Sequence, residues 1–296
     1  MGKLDGKRIV ITGSSRGLGQ AFAVGCANEG AKVVINGTNH DALAKTENLI
    51  AKAGGMGIAV AGSVADESVC ETLIQTCVTE YGGIDVLVNN AGIVRDKTIM
   101  KMTVDEWDEV MAINLRGAFS CTKHAALAMR DQTPNGGGHI IQIISASGLS
   151  GGFGQANYAA SKAGMMGLLR TSLLEFSRHN IRTNAMWPVA QTDMTQVVFD
   201  RAKDLAEKNN TRPPKPEEMG FGKTEEVAAG VIWLASDGAN HLNGQCMSFN
   251  GRKTALWSHP TEHYINFKNN AWSVEELSQY YEDIEQLPVH RPPMTE

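Results

Sequence analysis

The segment Arg8-Ile-Val-Ile-Thr-Gly-Ser-Ser-Arg-Gly-Leu-Gly19 joins a short apolar run to a turn that contains three glycines. The run predicts a buried β-strand, and the residues that follow the turn predict a helix. Gly13, Gly17 and Gly19 would let a pyrophosphate approach the backbone, where the start of the helix offers unpaired N–H groups. Tight packing of the turn is the alternative, because glycine also serves turns that bind nothing. The segment therefore predicts a strand–turn–helix unit suited to a phosphate-containing ligand.

The same alternation continues along the chain. Further short apolar runs are separated by longer stretches with helical periodicity, a pattern typical of a parallel sheet covered on both faces. We therefore expect an α/β fold with a single doubly wound, Rossmann-like parallel sheet of about seven strands within residues 1–251. The predicted strands are 8–12, 32–35, 57–60, 84–88, 139–144, 182–186 and 245–249, and the predicted helices lie near 18–29, 39–53, 67–81, 104–130, 155–179 and 224–236.

Composition and charge exclude several classes of function. The chain has 296 residues, of which 42% are hydrophobic and 20% are charged, as is ordinary for a globular protein. Its net charge of −5 gives no basic patch of the kind that nucleic acid or an anionic membrane requires. Its five cysteines form no C-x-x-C motif and no cluster with histidine, so neither a metal site nor disulfides are expected. With no signal-peptide or membrane-span pattern, a cytoplasmic protein is expected.

Three residues near the middle of the chain predict proton-transfer chemistry. Tyr158 and Lys162 are four residues apart, so a helix would place both side chains on one face. A phenol is a weak base at neutral pH, and a neighbouring ammonium favours its phenolate form. A serine such as Ser145 can hold the oxygen of an alcohol or carbonyl while the phenol moves a proton and a nicotinamide exchanges a hydride. Taken alone, the Tyr158–Lys162 pair also fits a helix with one buried ring and one solvated charge.

The end of the second predicted strand bears on the choice of cofactor. An acidic residue there binds the adenosine ribose hydroxyls of NAD and repels the 2'-phosphate of NADP. The segment Ile35-Asn-Gly-Thr-Asn39 contains no acid, and Arg16 lies in the glycine-rich turn. A guanidinium without a competing carboxylate favours the doubly charged phosphate. The sequence therefore predicts NADP(H) in preference to NAD(H).

Taken in order, the motifs resemble those of the short-chain dehydrogenase/reductase family over residues 5–251. They are the turn Thr12-Gly-Ser-Ser-Arg-Gly-Leu-Gly19, the segment Asn89-Asn-Ala-Gly92, Asn114, Ser145, and Tyr158 with Lys162. The resemblance implies that Asn114, Ser145, Tyr158 and Lys162 are catalytic, with Tyr158 as the acid–base. It also implies that Lys162 contacts the nicotinamide ribose and that Asn114 continues a proton path to solvent through a water. The alternatives are a helix bend for Asn114 and a strand-end cap for Ser145.

The resemblance also implies the cofactor contacts. Two positions depart from the family pattern: Ser63 stands where an aspartate usually faces the adenine, and the motif after the sixth strand reads Pro188-Val-Ala-Gln-Thr192 without the usual Pro-Gly. The predicted contact residues are Gly13, Ser15, Arg16, Leu18, Gly19, Asn36, Thr38, Ser63, Val64, Asn90, Ala91, Gly92, Tyr158, Lys162, Pro188 and Thr192.

Within the family, three stretches look like the hydroxyacyl-CoA dehydrogenase part of multifunctional β-oxidation enzymes and like 3-oxoacyl reductases. They are 90–96, 115–117 and 145–158. We therefore expect an oxidoreductase that interconverts a secondary alcohol and a ketone, with 3-hydroxyacyl and 3-oxoacyl thioesters favoured. Reduction of a free ketone of steroid, polyketide or terpenoid type is the alternative among enzymes, and a non-catalytic nucleotide-binding subunit is the alternative outside them. The resemblance further implies a homo-oligomer, a tetramer or a dimer.

Two segments fall outside the regular pattern. Residues 193–222 combine a polar helical stretch with Arg212-Pro-Pro-Lys-Pro216, as in a flexible lid over a substrate. Residues 252–296 form an aromatic extension in which Ser273 and Glu276 predict a helix start. That extension is expected to pack on its own domain or on a neighbouring subunit, where it could wall the substrate pocket.

Overall fold

A parallel sheet frames the computed structural model, which describes residues 2–262 and 265–282. The strand order is β3-β2-β1-β4-β5-β6-β7-β8, with every neighbouring pair parallel except β7 and β8. The seven predicted strands are confirmed. The bounds are β1 Arg8–Ile11, β2 Lys32–Gly37, β3 Met56–Ala61, β4 Val86–Asn89, β5 Gly138–Ile143, β6 Ile181–Pro188, β7 Cys246–Phe249 and β8 Thr254–Leu256.

Helices cover both faces of this sheet, as the sequence pattern predicted. The helices are α1 Gly17–Asn28, α2 His40–Lys52, α3 Glu67–Tyr81, α4 Val104–Val110, α5 Gly117–Asp131, α6 Ala146–Ser150, α7 Ala156–Phe176, α8 Gln196–Lys208, α9 Thr224–Ala235 and α10 Val274–Glu282. Strand β1 shows how the two faces arise, because Ile9 and Ile11 join one buried cluster while Val10, between them, joins another. Alternate side chains of a strand point to opposite faces, so an uninterrupted apolar run supplies two cores.

Three features differ from the predicted elements. The antiparallel strand β8 extends the sheet beyond residue 251, and the compact unit that contains the sheet ends at Trp257. The predicted helix 104–130 is divided, because a π-helical segment at Met111–Arg116 lies between α4 and α5. The short helix α6 follows β5 directly and was not predicted. A one-residue expansion of a helix leaves no trace in hydrophobic periodicity, and it is frequently found at functional sites.

The position of the site follows from the strand order. Strand β1 lies between β2 and β4, so the chain reverses its direction of growth across the sheet at this point. Ile11, at the end of β1, pairs with Ile35 of β2 and Val88 of β4. In open parallel sheets, ligands bind outside the carboxyl ends of the strands at such a reversal.

The second compact unit begins at Ser258. Its helix α10 confirms the predicted helix start, because Ser273 and Glu276 exchange side-chain and backbone hydrogen bonds of 2.8 and 3.2 Å. Trp272 stacks on Tyr280 at 5.4 Å between ring centroids, and the Lys268 ammonium lies over Trp272. Residues 283–296 of the predicted extension lie outside the described residues.

Candidate active site

The glycine-rich turn between β1 and α1 has two kinds of glycine. A Cβ at Gly13 would lie 2.6 Å from Ala91 Cα, and a Cβ at Gly19 would lie 2.2 Å from the carbonyl oxygen of Gly13. Gly17 has a φ of +56° and nothing within 4 Å of its Cβ position. Arg16, at the start of α1, makes no side-chain cap to the first N–H groups of the helix. The turn is thus tightly packed on one side and open on the other, which fits a pyrophosphate at the helix N-terminus.

Thr12 and Asn90 join the end of β1 to the end of β4. The Thr12 hydroxyl accepts hydrogen bonds from the N–H groups of Asn90 and Ala91, both at 3.0 Å. The Asn90 amide donates to the carbonyl oxygens of Thr12 and Gly13, both at 2.9 Å. These four bonds fix the glycine turn against the segment 90–92. Thr12 was not among the predicted contact residues, although it lies in the motif.

The end of β2 is built from Asn36 and Gly37. The Asn36 amide donates to the carbonyl oxygens of Val60 and Gly62 at 3.1 and 3.0 Å, so this predicted cofactor contact has protein partners for both N–H groups. A Cβ at Gly37 would lie 2.8 Å from the Ser15 hydroxyl oxygen. Thr38 follows and is exposed.

Arg16 is the exposed cation of this region. Its side chain is 80% exposed, and its guanidinium lies 3.5 Å from the Asp193 carboxylate, which is 89% exposed. An ion pair between two exposed groups at that distance adds little stability, so the guanidinium remains accessible to an anion.

The remaining predicted contacts lie farther along the carboxyl edge. Ser63 accepts a hydrogen bond from the N–H of Ala65 at 3.3 Å, and Val64 is buried against Gly117. Thr192, which follows β6 and Pro188, caps the 3-10 turn Asp193–Thr195 and accepts from the N–H of Thr195. Leu18 lies in the first turn of α1, where it packs against the core.

Ser145, Tyr158 and Lys162 converge where β5 ends. Ser145 caps α6, where its hydroxyl accepts from the N–H of Ser147 at 3.3 Å. The same side chain lies near enough to the Tyr158 phenol to act on the pKa of that group. The predicted alternative of a cap is therefore correct, but the cap coexists with the contact to Tyr158. Lys162 lies one helical turn from Tyr158, with its Nζ 5.8 Å from the ring centroid, and donates to the carbonyl oxygen of Ile143 at 2.7 Å.

Burial dominates the electrostatics of this group. Burial raises the pKa of Tyr158; Ser145 opposes the shift, and the charge of Asp96 adds to it. Burial also lowers the pKa of Lys162 to about 8. Desolvation disfavours both charged forms, and the expected stabilisation of the phenolate by the ammonium stays a prediction.

Asn114 lies within the π-helical segment Met111–Arg116 and is fully buried. Its amide oxygen accepts from the N–H of Ile93 at 2.8 Å, and its amide nitrogen donates to the Ile93 carbonyl at 3.0 Å and to Ser161 at 3.2 Å. A Cβ at Gly92 would lie 3.4 Å from the Asn114 oxygen and 3.7 Å from Lys162 Nζ. Asn114 therefore connects the segment after β4 with α7, and it does more than bend a helix.

Two polar residues of α7 were missed by the sequence analysis. Asn157 is buried, and its amide donates to the carbonyl oxygens of Arg95 and Glu106, both at 3.1 Å. Ser161 is also buried, and it donates to the Tyr158 carbonyl at 2.8 Å while it accepts from Asn114. The two are four residues apart, as are Tyr158 and Lys162. Two polar i, i+4 pairs in the first two turns of one helix were the available signal.

Residues 2–262 and 265–282 were searched for a metal site and for a membrane-spanning helix, and neither was found. No group of three or more His, Cys, Asp or Glu side chains there could hold a metal ion. No helix in the same ranges is long and apolar enough to cross a membrane.

Comparison with known proteins gives consistent matches. A family model described as "short chain dehydrogenase" matches residues 7–203. A 3-oxoacyl-[acyl-carrier-protein] reductase FabG of Staphylococcus aureus (strain N315) is 38% identical over 248 residues, which are 83% of this chain and 97% of that protein. Hydroxyacyl-CoA dehydrogenase ChsB1 of Mycobacterium tuberculosis is 36% identical over 291 residues, which are 95% of this chain and 89% of that protein.

Solved structures agree with these matches. The crystal structure of a short chain dehydrogenase from Mycobacterium avium superposes with a TM-score of 0.83 at 33% identity, covering 99% of this chain and 98% of that one. A putative short-chain alcohol dehydrogenase from Sinorhizobium meliloti gives a TM-score of 0.74 at 34% identity, covering 84% of this chain and 96% of that one.

Proposed function

The chain belongs to the short-chain dehydrogenase family, and on that premise we propose that it interconverts a 3-hydroxyacyl thioester and a 3-oxoacyl thioester by hydride transfer with NADP(H). The observation that carries the proposal is the convergence of Ser145, Tyr158 and the buried Lys162 at the edge of the sheet that also holds the glycine turn. The nicotinamide cofactor supplies or accepts the hydride when it is bound.

The chain's own residues hold the substrate oxygen and move its proton. In the direction of reduction, the Ser145 hydroxyl donates a hydrogen bond to the ketone oxygen, and Tyr158 delivers the proton from its phenol oxygen to that atom. A raised pKa keeps the phenol protonated at neutral pH, as the proton donor requires. In oxidation the same groups act in reverse, with the phenolate accepting the alcohol proton.

Lys162 and Asn114 support these steps. The Lys162 ammonium, held by the Ile143 carbonyl, would stabilise the phenolate once Tyr158 has given up its proton. Asn114 holds the Ile93 backbone beside Lys162 and would return protons through a water. These roles follow family resemblance together with the contacts described above.

The preference for NADP(H) rests on Arg16 and Gly37. The guanidinium of Arg16 is exposed beside the open side of the turn. Gly37 brings no carboxylate to the end of β2, where an acid would repel the 2'-phosphate. The predicted contacts of Ser15, Thr38, Ser63, Val64, Pro188 and Thr192 belong to the same proposal.

The substrate class rests on the two relatives together. One is named for a 3-oxoacyl group on acyl carrier protein and the other for a hydroxyacyl group on coenzyme A, so both names specify an oxygen function on an acyl thioester. The second match spans 95% of this chain and the first 83%, so coenzyme A thioesters come first. The segment 193–222 supplies the apolar surface for an acyl chain, because Met194, Val197 and Val198 are exposed there.

A panel assay tests the proposed function. The purified chain is mixed with NADPH or NADH and with 3-oxoacyl-CoA thioesters of increasing length, an acyl-carrier-protein thioester, and free ketones of steroid and polyketide type. Oxidation of NADPH with the thioesters, at kcat/KM at least about tenfold above the free ketones, is expected. Turnover of the free ketones alone would instead support the alternative reductase. Nucleotide binding without turnover of any of them would support a non-catalytic subunit.

We also propose that the chain forms a dimer or tetramer in the cytoplasm. An open groove along α4, the π-helical segment and the start of α5 is lined by the apolar Met111, Leu115 and Phe119 and by the charged Asp108, Glu109 and Arg116, and Phe119 is half exposed. Exposed apolar side chains rimmed by charged ones suit a second copy of the chain. The five cysteines are buried free thiols, as suits a reducing compartment. Light scattering of the purified chain tests the oligomeric state.

A further inference from the structure

The loop that carries Asp96 is fixed to the residues that precede Tyr158. The N–H of Lys97 donates to the carbonyl oxygen of Gly154 at 2.8 Å, and the Asn157 amide donates to the carbonyl oxygen of Arg95 at 3.1 Å. The residues on both sides of Asp96 are therefore bound to the turn that starts α7. Asp96 itself is exposed, and its backbone is held against the start of α7 from both sides.

A hydrogen-bonded chain leads from Asp96 to the catalytic serine. The Gln155 amide nitrogen donates to the Asp96 carboxylate at 3.1 Å, and the Ser147 hydroxyl donates to the Gln155 amide oxygen at 2.7 Å. The Ser147 N–H then donates to the Ser145 hydroxyl oxygen at 3.3 Å. Three links thus join an acidic side chain to the hydroxyl that pairs with Tyr158.

The carboxylate gives this chain a direction. An ionised carboxylate only accepts hydrogen bonds, so it selects the nitrogen end of the Gln155 amide and turns the oxygen end toward Ser147. Ser147 must then donate its hydroxyl proton to Gln155. The link from Ser147 to Ser145 is a backbone N–H, which donates whatever the Ser147 hydroxyl does, so Asp96 and Gln155 act on Ser145 by fixing the position of Ser147.

Gly152 leaves space for the hydrogen-bonded chain of Asp96, Gln155 and Ser147. A Cβ at Gly152 would lie 2.6 Å from the Gln155 amide oxygen and 3.1 Å from the Ser147 hydroxyl oxygen. The φ of Gly152 is outside the left-handed region, so the backbone there does not require glycine. The requirement is the room for the bond between Ser147 and Gln155.

The charge of Asp96 is not offset by its neighbours in sequence. Arg95 pairs with Glu109 and Lys97 with Glu106, both at 2.8 Å. The charge of Asp96 raises the pKa of Tyr158, and the Lys162 ammonium, on the same helix as the phenol, lies 5.8 Å from its ring centroid.

We propose that Asp96 is a positioning residue for proton transfer by Tyr158, acting through a chain of Gln155 and Ser147 that ends on Ser145. The proposal rests on the proposed function, since the reaction it serves is the interconversion of ketone and alcohol. Asp96 lies in the loop 95–97, and Gln155 and Ser147 lie between β5 and α7.

Two substitutions at Asp96 separate its hydrogen bond from its charge. Asp96→Ala removes both, and kcat in either direction is expected to fall about tenfold, as a small misplacement of a catalytic group does. Asp96→Asn keeps an acceptor for Gln155, so kcat should stay within about threefold of the wild type. In both variants the rate of alcohol oxidation should reach its plateau at lower pH, because the charge that raises the pKa of Tyr158 is gone. Unchanged kcat and pH profile in Asp96→Ala would overturn the proposal, and so would an Asp96→Asn enzyme as slow as Asp96→Ala.

Gly152→Ala tests the hydrogen-bonded chain at the bond between Ser147 and Gln155. It leaves every charge in place, so kcat should fall about as far as in Asp96→Ala while the pH profile stays that of the wild type. Wild-type kcat in Gly152→Ala would contradict the claim that the hydrogen-bonded chain positions Ser145. This variant also carries the test if Asp96→Ala fails to fold, as judged by circular dichroism and thermal melting.

A measurement without substrate keeps the two proposals distinguishable. The ultraviolet titration of the Tyr158 phenol, taken as the difference from Tyr158→Phe, needs neither thioester nor ketone. A lower phenol pKa in Asp96→Asn supports the positioning role even if no thioester is turned over, in which case only the substrate proposal fails. An unchanged phenol pKa in Asp96→Asn overturns the role of the charge whatever the substrate is.

Discussion

The edge where β1 and β4 end differs from the segment 193–222 in how its side chains are used. At the edge, Thr12 and Asn90 are bonded to each other's backbone, and Asn114 and Lys162 are buried. In the segment 193–222, Met194, Val197, Val198 and Leu205 are exposed apolar side chains on or beside one amphipathic helix. The first region is already organised by the protein, whereas the second leaves apolar surface for a partner. On the proposed function, we expect the organised edge to serve the cofactor and the proton, and the segment 193–222 to set the choice of substrate.

The largest effect is expected when the proton donor is removed from the organised edge. Tyr158→Phe deletes only the phenol oxygen, so kcat with the best substrate of the panel should fall about a thousandfold, within the range for loss of a general acid. Cofactor affinity, measured by fluorescence titration, should change little because the ring stays in place. A variant that keeps a tenth or more of wild-type kcat would mean that another group moves the proton.

A matched pair of glycine variants tests how rigid the cofactor side is. Gly13 and Gly17 both have positive φ, 63° and 56°, but only Gly13 faces a neighbour, Ala91 Cα at 2.6 Å. Gly17→Ala should cost about 1–2 kcal/mol of unfolding free energy from backbone strain alone. Gly13→Ala adds the clash and should weaken cofactor binding about a hundredfold, as expected for displaced contacts. Similar losses in both variants, measured by chemical denaturation and cofactor titration, would show that the packing against Ala91 is unimportant.

Arg16 tests whether the exposed cation at this edge recognises the 2'-phosphate. Arg16→Ala should raise the Kd of NADPH about tenfold to a hundredfold, the usual range for a hydrogen bond to a charged group, and leave that of NADH unchanged. Arg178→Ala, at an arginine whose guanidinium donates to the adjacent His179, is the control and should change neither. Equal weakening of both cofactors by Arg16→Ala would assign Arg16 to the shared pyrophosphate instead.

The lowered pKa of Lys162 should make the free energy of unfolding depend on pH. Its pKa is lowered from 10.5 to about 8, so between these values the unfolded chain binds more protons at Lys162 than the folded chain does. Stability from this group therefore increases as pH rises from 8 toward 10, by at most about 1.4 kcal/mol per pH unit. Urea denaturation of the wild type and Lys162→Met across this range measures the slope. Comparison with the variant cancels the other titrating groups, and parallel slopes would show that Lys162 keeps an ordinary pKa.

The contrast between the two regions also explains what the sequence could predict. The seven parallel strands, the glycine turn and the convergence of Ser145, Tyr158 and Lys162 follow from apolar runs and short-range spacing. The raised pKa of Tyr158 could not be predicted, because it depends on burial by residues distant in sequence. The protein partners of Asn36 were missed for the same reason, since they lie on β3 and in the turn after it. Strand β8 is only three residues long and too short to show periodicity.

The smallest expected effect concerns the segment 193–222, where substitutions should change substrate binding and not the chemical step. Val197 is 43% exposed on α8, so Val197→Ser should raise KM for a long-chain 3-oxoacyl thioester severalfold, or about 1 kcal/mol of lost apolar contact. A thioester of short chain length should be unaffected, and kcat should not change for either. Val104→Ser, at an exposed valine on α4, is the matched control and should behave as the wild type. If Val197→Ser instead lowers kcat at every chain length, the segment takes part in organising the catalytic edge, and the division between a rigid and an adaptable region is wrong.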